Sequence, residues 1–138
     1  MTIEYLYGHE EQLIPWALER IEGAQFWNDA KAIGIARNGI IEAAVIYDEF
    51  SASGCSLAIA SDGHKRWLTR EFLYRAFAYP FIQCHMRRVG SLVSVNNRAA
   101  CKLNLGVGMK VEGRIRQAGQ QGEDMIAFGM LRDECRFI

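Results

Sequence analysis

The sequence has no Cys-x-x-Cys pair, only two prolines, three histidines and no net charge, its 16 basic side chains being matched by 16 acidic ones. Cys55, Cys84, Cys101 and Cys135 are too scattered for a zinc site, whose ligands come in close pairs. The charge balance argues against a nucleic-acid or anionic-membrane footprint. Lys65-Arg66 and Arg87-Arg88 are the only short basic pairs that could steer such a ligand. No apolar run is long enough to span a bilayer, and the opening residues lack the pattern of a secretory leader. Unpaired thiols without a leader point to reduced, mostly buried cysteines in a cytoplasmic protein. No linker, repeat or low-complexity block divides the chain, so residues 1–138 are expected to form a single domain.

What is present is apolar residue at 50%, enough for a core without disulfide or metal staples. A neutral surface also permits self-association, and a homodimer is one arrangement it allows. Residues 9–21 place Leu13, Ile14, Ala17, Leu18 and Ile21 at helical spacing. Pro15 suits a helix that starts near Leu13 and kinks one that starts earlier. Gly23 is a natural stop. Residues 24–29 form a loop or short helix with two large aromatics.

Residues 32–37 and 40–50 read as strands joined at Asn38-Gly39, a pair that tolerates positive φ and favours a two-residue hairpin. A third strand covers 56–60. A polar loop, 61–67, then leads into an aromatic-rich helix with Thr69 as N-cap, which Pro80 should kink or shorten. A strand over 88–95, a helix over 97–105 and a hairpin of 109–117 with 124–131 complete the chain. Helices that interrupt a mixed sheet indicate an α/β or α+β layer fold.

Two stretches could carry chemistry. The loop before the aromatic helix offers free amides and the positive end of a helix dipole, with His64, Lys65 and Arg66 beside them, which favours anions. It also reads as an ordinary solvated loop. The segment Asn97-x-x-Ala100-x-x-Leu103-Asn104, followed by Val107-Gly108-Met109, reads as cap, core and turn residues around a short helix.

In order and spacing, these segments resemble the GNAT acetyltransferases. Asn97-x-x-Ala100-x-x-Leu103-Asn104 is similar to that family's Asn-x-x-Ala-x-x-Leu-Tyr pattern. Glu112-Gly113-x-x-Arg116 and the later Asp124 and Gly129-Met130-Leu131-Arg132 look like the run in its ribosomal-protein N-terminal acetyltransferase branch and in short phage-encoded members. The resemblance implies a mixed, mostly antiparallel sheet of six to seven strands flanked by helices, with the family's fourth and fifth strands splayed; here those are 56–60 and 88–95. It implies acetyl-CoA (coenzyme A) as donor and a primary amine, on a small molecule or a protein, as acceptor.

The same resemblance assigns residues. Leu57, Ala58, Ile59 and Ala60 would pair with pantetheine as an extra strand. Gly63, His64, Lys65, Arg66, Trp67, Leu68 and Thr69 would hold pyrophosphate. Asn97 would contact the pantetheine arm or cap its helix, and Ala100 and Leu103 would line the cleft. Phe26, Trp27, Asn28 and Asp29 would border the acceptor. Catalysis would draw on Glu49, with Asp48 beside it, on Ser94 to position a water, and on Asn104, which stands where the family often has a tyrosine. An amide can hydrogen-bond sulfur but supplies no proton at neutral pH. The alternative is a GNAT-like binding protein that has lost turnover and acts through protein contacts.

Overall fold

In the computed structural model, residues 2–138 are described. The elements are β1 (Ile3–Tyr7), α1 (Glu10–Leu18), β2 (Lys31–Arg37), β3 (Ile40–Asp48), β4 (Gly54–Ser61), α2 (Arg70–Ala78), β5 (Arg88–Ser94), α3 (Arg98–Gly106), β6 (Lys110–Ile115) and β7 (Met125–Leu131). One seven-stranded sheet runs in the order β1-β2-β3-β4-β5-β7-β6. Every neighbouring pair is antiparallel except β4 and β5.

Local chemistry sets most element boundaries. Asn38 and Gly39, at φ 51° and 81°, turn β2 into β3. Thr69 caps α2, its Oγ1 accepting from the Phe72 amide at 3.2 Å. Asn97 caps α3 in the same way, its Oδ1 accepting from the Ala100 amide at 3.1 Å. Gly108, at φ 104°, turns α3 into β6. Pro80 ends the regular helix as expected, but the chain continues as a π-helical turn over Tyr79–Gln83 rather than stopping.

Two elements differ from the sequence expectation. β1 was not foreseen; it is a short edge strand, largely exposed on both faces. α1 has the earlier of the two starts, Glu10, so Pro15 lies inside it on its exposed side, but it ends at Leu18, short of Ile21.

The sheet carries a layer on each face. Ile33, Ile35, Val45, Tyr47, Leu57, Val89 and Met130 meet Phe72, Phe77 and Phe81. Each such fully buried phenylalanine contributes about 1.5–3 kcal/mol by removal from water. On the other face Ala32, Ala44, Ile46 and Ala60 meet Leu13 and Ala17 of α1. Small strand residues let α1 sit close: a Cβ at position 34 would lie 2.6 Å from a Leu13 methyl. α1 packs over β2, β3 and β4. Leu92 on β5, beyond that cover, is 49% exposed.

The C-terminal residues fold back on the protein's own core, where Phe137 is buried. Phe137 stacks on Phe77 with ring centroids 5.8 Å apart. Arg136 donates to the Gly106 carbonyl at 2.6 Å.

Candidate functional site

β4 and β5 are partnered at only three places, Gly54–Arg88, Cys55–Val89 and Ser56–Gly90. Both continue further, β4 to Ser61 and β5 to Ser94. From Leu57 onward β4 stays in its ladder with β3, while β5 is held throughout by β7. The two strands follow different neighbours and part. Alternate peptide groups of a strand point to opposite edges, so half of those in residues 57–61 face the opening.

The loop that leaves β4 is fixed from inside. Trp67 is 3% exposed. Its indole N–H donates to the His64 carbonyl at 2.7 Å, and its ring meets Phe72 edge-on. Trp67 therefore offers a ligand its backbone, not its ring. Ser61 Oγ accepts from the Gly63 amide at 3.2 Å and Asp62 Oδ1 from the His64 amide at 2.9 Å, so two loop amides are already engaged. Arg66 reaches Glu42 Oε2 at 3.2 Å, where the Arg37 Nε donates at 3.0 Å. His64 and Lys65 are exposed, and the space beside Gly63 is open. The unsatisfied first amides of α2 follow directly.

This set of donors fits an extended thioester that bears phosphates. The free edge of β4 suits a polar arm, and the α2 start with His64 and Lys65 suits anionic groups. Ala100 is half-buried on α3, while Leu103 and Cys101 pack against the core.

A recess of about 410 Å³ lies near the closed end of the wedge, lined by Trp27, Asn28, Asp29, Glu49 and Phe50. Three of the four loop residues assigned to the acceptor from sequence thus meet Glu49. The fourth, Phe26, is half-buried and packs against the core cluster that includes Leu13 and Ala17 of α1. The Trp27 amide donates to Asp48 Oδ2 at 3.2 Å and ties the loop to the end of β3. Glu49 follows at φ 54°, an uncommon conformation for a side chain of this kind. Burial raises the Asp48 carboxyl above the usual range; the Trp27 amide opposes this, and the Glu49 and Asp29 charges add to it. Glu49 also borders a second recess of about 350 Å³, shared with Cys55, Ser56, Gly90 and Ser91.

The three residues assigned to catalysis are not gathered at one point. Ser94 lies four residues beyond Gly90, about 13 Å along the strand. Its hydroxyl donates to Glu123 Oε2 at 2.8 Å and holds that carboxyl below its usual range. Asn104 is 4% exposed, and its Nδ2 donates to Ser91 Oγ at 3.2 Å. The sequence reading did not single out Ser91. The available signal was a hydroxyl at an inward position of a strand otherwise rich in valine and leucine. Cys55 is near the same place, but burial, then the neighbouring Cys84, pushes its thiol up to about 12, which leaves it inert at neutral pH. Among the described residues no group of three or more His, Cys, Asp or Glu is placed to hold a metal ion, and no helix is long and apolar enough to cross a membrane.

The C-terminal motif residues engage one another. Arg88 forks onto Glu112, with Nη2 to Oε1 at 2.5 Å and Nη1 to Oε2 at 3.2 Å. The Glu112 carboxylate occupies the space above Gly129, where a Cβ would lie 2.2 Å from it. Arg114 Nε meets Asp124 Oδ2 at 2.6 Å. These contacts tie β5, β7 and β6 together and so brace one wall of the wedge.

Solved structures share this architecture. A chimera of the Vibrio cholerae spermidine N-acetyltransferase SpeG and hSSAT matches with a TM-score of 0.76 at 15% identity, over 96% of this chain and 98% of that one. The chain has a GNAT-like fold. Mutant forms of the spermidine/spermine N-acetyltransferase SpeG from Vibrio cholerae match with a TM-score of 0.75 at 14% identity, over 96% and 94% of the two chains. The same enzyme in complex with manganese ions gives 0.71 at 15% identity, over 96% and 92%. At such identities the likeness is one of fold. No family profile and no curated protein matches the sequence.

Proposed function

We propose that this GNAT-like protein is an N-acetyltransferase that moves an acetyl group from acetyl-CoA to a primary amine by direct attack. The observation that carries the reading is the early end of the β4–β5 ladder, at Ser56 and Gly90, with the Glu49 recess beside that end. The donor supplies an activated acetyl thioester. The peptide edge of residues 57–60 and Asn97 would hold its arm, and residues 63–69 with the α2 N-terminus would hold its phosphates. Ala100 and Leu103 would shape the α3 wall.

Trp27, Asn28, Asp29 and Phe50 would receive the acceptor. Two carboxylates and two aromatic rings around one recess suit a cationic amine. The SpeG neighbours act on spermidine, which makes it a sensible first probe. A protein amine, the acceptor in the ribosomal-protein N-terminal acetyltransferase branch that the C-terminal motif resembles, is the second. Glu49 would take the proton that the amine must lose. The four free thiols go with a cytoplasmic location.

Asn104 favours a second reading. It is buried against Ser91 and presents no acid to a leaving thiol, as in a protein that binds the coenzyme and no longer turns it over. Calorimetry with acetyl-CoA, followed by a transfer assay over spermidine, other amines and peptide N-termini, separates the two. Binding with transfer supports the enzyme, and binding without transfer to any amine supports the second reading. No heat at millimolar ligand rejects both.

A further inference from the structure

Ser91 is the first residue of β5 beyond the last pair with β4. Its side chain is on the face shared with Val89 and Val93, the face toward which α3 turns Asn104. Ser91 also lines the recess that Glu49 borders. The Asn104 amide donates into Ser91 Oγ and fills one of its lone pairs. The Ser91 proton is then left for another acceptor, and no protein group takes it among the described residues. A hydroxyl that accepts a hydrogen bond is also a better donor.

We infer that Ser91 donates to the sulfur that leaves, and that Asn104 is the positioning residue that orients it. This rests on the acetyltransferase reading. The electron balance is simple. The amine lone pair forms the new C–N bond, the C–S bond breaks, and its electron pair stays on sulfur. The proton lost from nitrogen passes to Glu49 and on to water. Ser91 keeps its own proton and supports the thiolate through a hydrogen bond until water protonates it. In this arrangement a buried Asn at position 104 serves the leaving group indirectly.

The test titrates the thiol of coenzyme A bound to the full-length protein, read by the ultraviolet absorbance of the thiolate. A donor at Ser91 stabilises the thiolate, so the bound thiol should ionise about one pH unit below the free coenzyme. Ser91→Ala should return the titration to the free value, and Ser91→Thr should keep the shift. Asn104→Asp can only accept, so it should draw the Ser91 proton inward and behave as Ser91→Ala does. The double variant should be no worse than Ser91→Ala alone. With an amine that is turned over, kcat should fall about 10- to 100-fold in Ser91→Ala, with KM little changed. An unshifted thiol in the native complex, or the same titration in native protein and Ser91→Ala, overturns the assignment and leaves the transferase reading standing. Failure of the native protein to bind coenzyme A overturns both.

Discussion

Gly54 leaves no room for a side chain against Arg88: a Cβ at position 54 would stand 2.3 Å from the Arg88 carbonyl oxygen. That contact is at the closed end of the wedge, where β4 and β5 are still paired. The obstacle is backbone and cannot swing aside. Gly54→Ala should force the strands apart and destabilise the fold by about 1–3 kcal/mol, the usual cost of overpacking. Gly129→Ala is the control. There the obstacle is the Glu112 carboxylate, the end of a flexible, part-exposed side chain. Moving it forfeits a surface ion pair with Arg88, about 0–1 kcal/mol. Urea midpoints of the two variants should fall in that order; equal midpoints would show that the closed end is not tightly clasped.

Ala100 tests the α3 wall. Replacing Ala100 with Trp should abolish coenzyme binding in calorimetry while the thermal transition stays close to that of the native protein. Unchanged affinity would place the wall of the cleft elsewhere.

Trp67 holds the loop before α2 through a single indole hydrogen bond to His64. Trp67→Phe removes that donor and its bond to the His64 carbonyl, at a cost of about 0.5–1.5 kcal/mol. Coenzyme affinity should weaken as well, because the loop loses its anchor. A variant that loses stability but keeps full affinity would separate the loop from phosphate binding.

Asp48 predicts a pH dependence. Its carboxyl titrates above the ordinary range in the folded protein, chiefly through burial. The folded state therefore holds this proton more tightly than the unfolded chain does. Asp48 lowers stability as pH rises from below the ordinary aspartate range through its own raised value. Asp48→Asn keeps an oxygen for the Trp27 amide and removes the titration. Thermal melts across the acid range should give a flatter contribution in the variant, and at neutral pH it should be at least as stable as the native protein. A variant less stable at neutral pH would mean that the charge on Asp48 is supported by its surroundings.

The local signals were legible in the sequence. Asn38-Gly39, Thr69, Pro80, Asn97 and Gly108 each act within a few residues, and each ends or turns an element where that chemistry requires it. β1 was not legible, because a short exposed edge strand has no alternation to read. At the site, residues 27–29 meet Glu49 because the Trp27 amide binds Asp48, 21 positions away. The Ser91–Asn104 bond depends on the register of α3 against β5, which spacing along the chain does not encode. Arg88, Glu112 and Gly129 belong to one device, yet each comes from a different strand.

The most direct test of a thioester ligand lying between β4 and β5 is an amide-resolved NMR titration of the protein with coenzyme A. The expected result is a set of saturable shifts in residues 57–61, along the free edge of β4, and in 63–71, around the start of α2. Saturable binding that moves other amides and leaves both segments unchanged would contradict a ligand in the opening between the strands.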